Sequence, residues 1–361
     1  MPAIKAAVCH AFGDPLKVET VDLREPIAGE VEVTLMAVAI CHSDISYADG
    51  AWGGSLPAVY GHEAAGTVTA VGDGVSGLTV GDPAVVTLIR SCGTCPSCAT
   101  GKPTICQTPY DGDHGPLKTA DGGKLHQAMA AGAFAEKVVV DQSQVVKMPN
   151  DIPMEAASLL ACGVVTGIGA VVNAASFRAG QDAVVIGAGG VGLNAIQGAR
   201  IAGARRIVAV DMSEDKLAIA KEFGATDGIL ASDAKPWKAA KAAMGRGADA
   251  VFVTVGAAAV YDTAPRYLAY GGKLIMVGMP PTGAASSYEA ANFAAVGQSM
   301  VGSKMGDVVI SRDIPWMADL YQQGRLKLDE LISGRWTLDQ INEAIADTRS
   351  GSARRNVIVF D

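Results

Sequence analysis

Apolar and polar positions alternate over short stretches in the first part of the chain, as in VEVTLMAVAI (31–40), GTVTAVG (66–72) and EKVVVD (136–141). A period of two predicts strands with one buried face, so residues 1–163 form a β-rich region. The pattern then changes. Between about 164 and 303 come nearly continuous apolar runs: VVIGAG (184–189), IVAVD (207–211), DAVFVTVG (249–256) and GKLIMVGMP (272–280). Longer stretches of helical spacing separate them. Strands buried on both faces and alternating with helices predict a doubly wound parallel sheet, hence an α/β chain. PWKAAKAAMGRGAD (236–249) fits a surface helix and loop despite its alanines, and neither an internal repeat nor a low-complexity linker interrupts the two regions.

Length agrees with this division, because 361 residues exceed the roughly 100 to 200 that one core usually serves. An apolar fraction of 49% supplies ample core. No uninterrupted apolar run of about 18 residues is visible and MPAIKAAVCH lacks a signal pattern, so a soluble cytoplasmic protein with no membrane partner is expected. A net charge of −8, with basic residues scattered, argues against a nucleic-acid partner, which needs a concentrated basic surface.

The seven cysteines change the picture further. An odd count in a reducing compartment is a poor disulfide framework and points to metal ligation or catalysis. Four of them stand as Cys92-x2-Cys95-x2-Cys98-x7-Cys106, with Gly93, Pro96 and Gly101 supplying turns. Such loops let thiolates converge on one tetrahedral ion, and four sulfurs complete the shell of zinc. A closed site leaves no position for substrate, so this ion is structural. An iron-sulfur cluster competes for the same ligands, but no other electron-carrier feature accompanies it.

Chemistry must therefore lie elsewhere, and three segments offer an open site: CHSD (41–44), GHEAAG (61–66) and ACGVVTG (161–167). Singly each is weak, since a lone cysteine in an apolar stretch is more often core. Together Cys41, His62 and Cys162 make the two-thiolate, one-imidazole set of a catalytic zinc with a free fourth position.

A nucleotide signature follows. Gly187-x-Gly189-x-x-Gly192 succeeds the apolar run ending at Ile186 and opens a helix whose amides can take a pyrophosphate. In a chain with 43 glycines the motif alone says little, but Asp211 closes the next strand 24 positions after Gly187. An acid there binds ribose hydroxyls and repels a 2′-phosphate, which favours NAD over NADP.

CHSD, GHEAAG, the four-cysteine loop and ACGVVTG together resemble the zinc-dependent alcohol dehydrogenases of the medium-chain dehydrogenase/reductase superfamily, over essentially the whole chain. The resemblance implies a GroES-like catalytic domain (1–163 and 304–361) holding two zinc ions, split by a Rossmann NAD-binding domain (164–303), with the active site in the cleft between them. It further implies cofactor contacts from Lys216 in DMSEDK near the adenosine ribose, from Arg355 in SGSARRNVIVF at the pyrophosphate, and from Thr166 and Val191 around the nicotinamide.

A mechanism follows from the same resemblance. Zinc acts as a Lewis acid toward an alcohol oxygen and hydride passes to the nicotinamide. Ser43 takes the alcohol proton and Asp44 orients His62. Glu63 resembles the family's carboxylate beside the zinc. Two positions depart from well-known dimeric members: His42 stands where arginine is frequent, still able to reach the cofactor phosphate, and Ser46 stands where a proton relay ends in histidine. By alignment Trp52, Leu88, Phe134 and Met279 line the pocket, which suggests a neutral, largely apolar alcohol or aldehyde. Glutathione-adduct formaldehyde dehydrogenases share GVVTGIGAVVNAA, but CQTPYDGDHG has acids where they carry an anion-binding arginine, so that substrate is the alternative, as is a protein whose NAD never leaves. The 56 positions between Cys106 and Cys162 favour a homodimer over the tetramers of bacterial relatives. Cys9 is left over as a small apolar residue.

Overall fold

The computed structural model describes residues 2–360. The chain divides into two compact units, one running up to Cys162 and resuming at Val309, the other spanning Gly163–Val308.

Two β-sheets build the first unit. In the smaller the strands run Leu117–Thr119, Lys17–Leu23, Ala3–Cys9, Ala58–Val59 and His126–Gln127. In the larger they run Val145–Lys147, Pro83–Val86, Glu63–Val71, Glu30–Ala39, Arg355–Val359 and Ile332–Trp336, with Lys137–Asp141 also pairing onto Glu30–Ala39. Glu30–Ala39 is the spine of this sheet. Its neighbours on either side bury Val31, Val33, Leu35 and Val38, and its partners place Gly66 where a Cβ would fall 2.0 Å from the Thr34 carbonyl oxygen. Register then fixes the future site: Ala39 stands opposite both Glu63 and Val357. Cys41, His62 and Arg355 each lie within two positions of those partners, so three segments far apart in sequence end at one edge.

The second unit carries a six-stranded sheet, all parallel, in the order Asp227–Leu230, Arg206–Asp211, Asp182–Ile186, Ala248–Val253, Leu268–Met276, Ser299–Gly302. The chain winds outward first one way and then the other from Asp182–Ile186, which makes the carboxyl end of that strand the switch point where ligands bind in such folds. Valine and alanine fill the strands because helices cover both faces. At the opposite, amino end the buried Asp182 accepts hydrogen bonds from Arg205 (2.6 Å) and Arg246 (2.7 Å), tying three strands together far from that switch point.

Two expectations need correction. Gly163 and residues 304–308, grouped with the first unit by the family resemblance, cluster with the second. Met305, Gly306 and Asp307 are all left-handed (φ 52°, 66° and 51°), and the turn they make presses Gly306 onto Gly169, where a Cβ would meet the Gly306 oxygen at 2.4 Å; Asn173 donates to the same oxygen at 3.1 Å. Second, the helical segment Met154–Ala174 is long and apolar enough to cross a membrane by length and composition. Of its most apolar 18-residue stretch, 89% is buried within the protein, as in a core helix. Glu155, Ser158, Thr166, Asn173 and three glycines interrupt its apolar residues, which hides it from a search for unbroken runs.

Candidate active site

The ligand atoms of Cys41, His62, Glu63 and Cys162 lie within 4.8 Å of one another, and all four residues are buried in the first unit. Each arrives by a different local rule. Cys41 is the residue before the helix His42–Ala48, whose Asp44 reaches back to accept from the Cys41 amide (3.0 Å). His62 follows Gly61, which needs its positive φ of 91° and its missing Cβ because Phe134 packs against it. Cys162 lies in a π-helical turn, Leu160–Val164, a widening that often re-aims a side chain at a functional site.

Asp44 ties these pieces together. Its buried carboxylate accepts from the amides of Cys41 and Gly61 (2.9 Å) and from His62 Nδ1 (2.8 Å). The family resemblance implies the histidine contact, whereas nothing in the sequence signals the two amides. With Nδ1 bonded to Asp44, Nε2 is the nitrogen left toward the cysteines; this buried atom meets no geometric hydrogen-bond partner among the described residues, and it must give up any proton it carries before it can ligate an ion. An orphaned imidazole nitrogen beside two sulfurs fits a zinc ion. Burial alone would lower the His62 pKa, yet the charge and hydrogen bond of Asp44 outweigh it and hold the value well above normal. Cys41 is pulled well below the usual thiol range, first by the hydrogen bond from Cys162.

Glu63 and Arg355 form a second buried pair. Arg355 donates to Glu63 Oε1 (3.1 Å) and to the Ile40 carbonyl (3.3 Å). Burial pushes the Glu63 carboxyl up to about 8 although Arg355 opposes the shift. The expectation for Arg355 was a pyrophosphate contact alone; the structure adds an anchoring role beneath the ligand set and leaves its buried Nη2 without a hydrogen-bond partner among the described residues. The helix His42–Ala48 leaves His42 exposed and Ser43 and Ser46 half-buried.

The four-cysteine loop is also convergent: the sulfurs of Cys92, Cys95, Cys98 and Cys106 lie within 4.8 Å of one another, all half-buried. Cys95 and Cys106 sulfurs stand 4.0 Å apart, near the roughly 3.8 Å edge that zinc-sulfur bonds of about 2.3 Å give a tetrahedron. Backbone amides of Cys95 (3.2 Å) and Cys98 (3.5 Å) donate to the preceding sulfurs, and the Thr108 hydroxyl is the foremost cause that draws the Cys92 thiol down to about 5.

In the second unit Gly187, at φ 98°, turns the chain from Ile186 into the helix Gly190–Ile201. A Cβ on Gly192 would fall 1.8 Å from the Gly187 oxygen, whereas one on Gly189 would meet nothing within 4 Å. The turn is packed on its inner side and open at Gly189, the cradle a pyrophosphate requires. Asp211 stands beside it and accepts from the amides of Ala188 (2.7 Å) and Ser213 (3.1 Å). Lys216 is half-buried on the first turn of Glu214–Glu222, which Ser213 caps. Thr166 and Val191 come close because Gly167 has no Cβ to strike the Val191 oxygen, 2.5 Å from where it would be.

The expected pocket residues are placed less uniformly. Trp52 is half-buried edge-on against Tyr47 (5.0 Å), and Leu88 is half-buried. Phe134 is a correction: it is fully buried in the first unit's core, its amide bonded to the Tyr60 carbonyl (2.8 Å), where it wedges Gly61. Met279 belongs to the second unit and is 61% exposed.

Comparison with known proteins gives this geometry its family. Residues 27–150 match the alcohol dehydrogenase GroES-like domain and residues 190–323 the zinc-binding dehydrogenase model. The chain is 36% identical over 98% of both lengths to the NDMA-dependent alcohol dehydrogenase of Amycolatopsis methanolica. It is 35% identical to the geraniol dehydrogenase of Castellaniella defragrans, over 99% of this chain and 97% of that protein. The crystal structure of benzyl alcohol dehydrogenase from Acinetobacter calcoaceticus superposes with a TM-score of 0.94 at 31% identity, covering 100% of both chains. The chain therefore belongs to the zinc-dependent alcohol dehydrogenases of the medium-chain dehydrogenase/reductase superfamily.

Proposed function

We propose that this alcohol dehydrogenase uses one zinc ion held by Cys41, His62 and Cys162, and NAD as cofactor, to interconvert a neutral, largely apolar alcohol with its aldehyde or ketone. The observation that carries the proposal is the orphaned, buried His62 Nε2 beside two cysteines. When bound, zinc supplies Lewis acidity and NAD a hydride acceptor. The chain's own residues do the rest. Asp44 fixes the histidine tautomer, and the Glu63–Arg355 pair sets the charge beneath the ligands. Ser43, half-buried two positions after Cys41, holds the alcohol proton as it leaves. Asp211 takes the ribose hydroxyls, with Lys216, Thr166, Val191 and His42 as further cofactor contacts. Cys92, Cys95, Cys98 and Cys106 hold a second, structural zinc.

An apolar substrate is supported by Trp52 and Leu88 in the first unit and by relatives named for geraniol and benzyl alcohol. Contacts of that kind separate substrates differing by one methylene by only about 1 to 3 kcal/mol, so the range accepted is broad. The proposal includes a cytoplasmic homodimer, joined along the Ser299–Gly302 edge of the parallel sheet, with sedimentation as its check. The deciding experiment follows NADH absorbance with aliphatic, aromatic and polyol alcohols and with glutathione plus formaldehyde, and measures zinc on the same sample. Turnover of free apolar alcohols with two zincs per chain is expected. Turnover only with the thiol adduct overturns the substrate, and a single zinc overturns the Cys41, His62, Cys162 site. Nicotinamide absorbance that survives dialysis, with turnover only when a second acceptor is added, overturns the exchange of NAD.

A further inference from the structure

One side chain of the second unit touches the nucleotide turn at the end of its peptide opposite Asp211, and the sequence pattern DAVFVTVG that contains it assigns it no role. Thr254 follows the strand Ala248–Val253, the neighbour of Asp182–Ile186 in the sheet. Its amide donates to the Ile186 carbonyl (3.0 Å), and its hydroxyl lies 3.0 Å from that oxygen and 2.8 Å from the Gly187 oxygen. The same hydroxyl oxygen stands 3.0 Å from where a Cβ would be on Gly187 and 3.0 Å from where one would be on Gly192. With Val255 Cγ1, 2.4 Å from the Gly187 position, it packs into the space that the missing side chains of two motif glycines leave open.

The carbonyl of Gly187 and the amide of Ala188 are the two ends of one peptide plane. Thr254 holds the carbonyl end, and Asp211 Oδ2 accepts from the amide end at 2.7 Å. A peptide plane gripped at both ends cannot rotate without breaking two hydrogen bonds. Rotation would swing the backbone entering Gly189, the open position at which a phosphate approaches.

We infer that Thr254 is a positioning residue for the dinucleotide: its hydroxyl locks the Gly187–Ala188 peptide so that the phosphate-binding turn is formed before the cofactor arrives. This rests on the nicotinamide reading above. It goes beyond that reading because the Asp211 carboxylate then has two tasks, one toward the ribose and one toward the turn, and the second works only if the other end of the plane is held.

Thr254→Ala and Thr254→Ser test it as a pair, since both lose the methyl group and only the first loses the hydroxyl. In the ligand-free protein, hydrogen-deuterium exchange of the segment 186–193 is expected to speed up about tenfold in Thr254→Ala and to stay within twofold of the parent in Thr254→Ser. The Kd for NADH, read by fluorescence, is expected to rise about fivefold to tenfold in Thr254→Ala, the loss of one hydrogen bond to a buried carbonyl, with recovery in Thr254→Ser. Zinc per chain stays at the parent value in both and reports intact folding. Equal exchange in the two variants overturns the proposal, as does NADH affinity unchanged by Thr254→Ala. If the parent chain binds no NADH, the cofactor reading fails by itself and the exchange comparison alone decides the role of Thr254.

Discussion

Two clusters of metal-ligating side chains in the first unit achieve the same convergence, ligand atoms within 4.8 Å of one another, under opposite conditions. The Cys92–Cys106 loop draws all its ligands from one short stretch, stays half-buried, and settles its sulfurs with backbone amides. Cys41 and His62 come from the ends of separate elements and Cys162 from a π-helical turn within a third; all three are buried, with ionisable partners beside them: Asp44 on the imidazole and Arg355 on Glu63. A local cluster can close around an ion without help from the rest of the fold, and by closing it excludes a substrate. The assembled cluster is buried, has ionisable groups packed against it and retains a histidine nitrogen with no hydrogen-bond partner among the described residues. Distance along the chain, more than the number of cysteines, separates the two clusters, and on the proposed function it separates the structural ion from the catalytic one.

The largest expected effect comes from the assembled cluster. His62→Ala removes the nitrogen that completes it, and losing about 4 kcal/mol of Lewis-acid stabilisation corresponds to about a thousandfold fall in turnover. Zinc per chain should fall from two to one while the fold persists. Full activity in this variant would end the comparison, because the buried cluster would then not be the catalytic one. Cys98→Ser should act the other way, on stability. An ion present about a thousandfold above its Kd adds about 4 kcal/mol to the folded state, and that increment disappears with the ligand. The expected outcome is one zinc lost, a lower urea midpoint, and turnover per folded chain close to the parent. Loss of turnover with an unchanged midpoint would assign the loop a catalytic part.

How legible each region was in the amino-acid sequence follows the same division. The four-cysteine spacing and the strand, turn and helix around Gly187 are local patterns, and the structure forms them where period and glycine spacing place them. Arg355 meets Glu63 only because Arg355–Val359 and Glu63–Val71 pair with opposite sides of Glu30–Ala39, a register no spacing reveals. Phe134 was expected in a pocket because alignment sees an aromatic residue and not its direction; packing turns it into the core against Gly61. The left-handed turn at Met305–Asp307 was likewise invisible, since two of its three residues are not glycine and are held there by the tight approach to Gly169.

A smaller effect should sharpen the contrast. Asp44→Asn keeps the shape but replaces an acceptor of three hydrogen bonds with a group that must present an NH2 to one of those donors. Loss of such an orienting partner typically lowers metal affinity about 10-fold to 100-fold. A chelator titration should therefore show one of the two zincs leaving earlier than in the parent while the loop zinc is unmoved. Release of both together would mean that the clusters are not independent.

The least expected change, at Cys9, tests whether cysteine as such matters. Cys9 is fully buried at the end of Ala3–Cys9, and its thiol donates to the Ala11 carbonyl at 3.3 Å. Burial, reinforced by Asp14, pushes its pKa up, so it remains a neutral thiol in a core that would penalise a thiolate. It has the burial of the Cys41, His62 and Cys162 cluster but none of its convergence: no group of potential ligands among the described residues includes it. Cys9→Ala removes one buried sulfur and a weak hydrogen bond, for which about 1 kcal/mol of stability is the expected loss. Both zincs and the turnover should be retained, as measured by metal analysis and a steady-state assay on the same preparation. Loss of either zinc in this variant would show that burial of a thiol, and not its meeting with other ligands, is what recruits the metal in this fold.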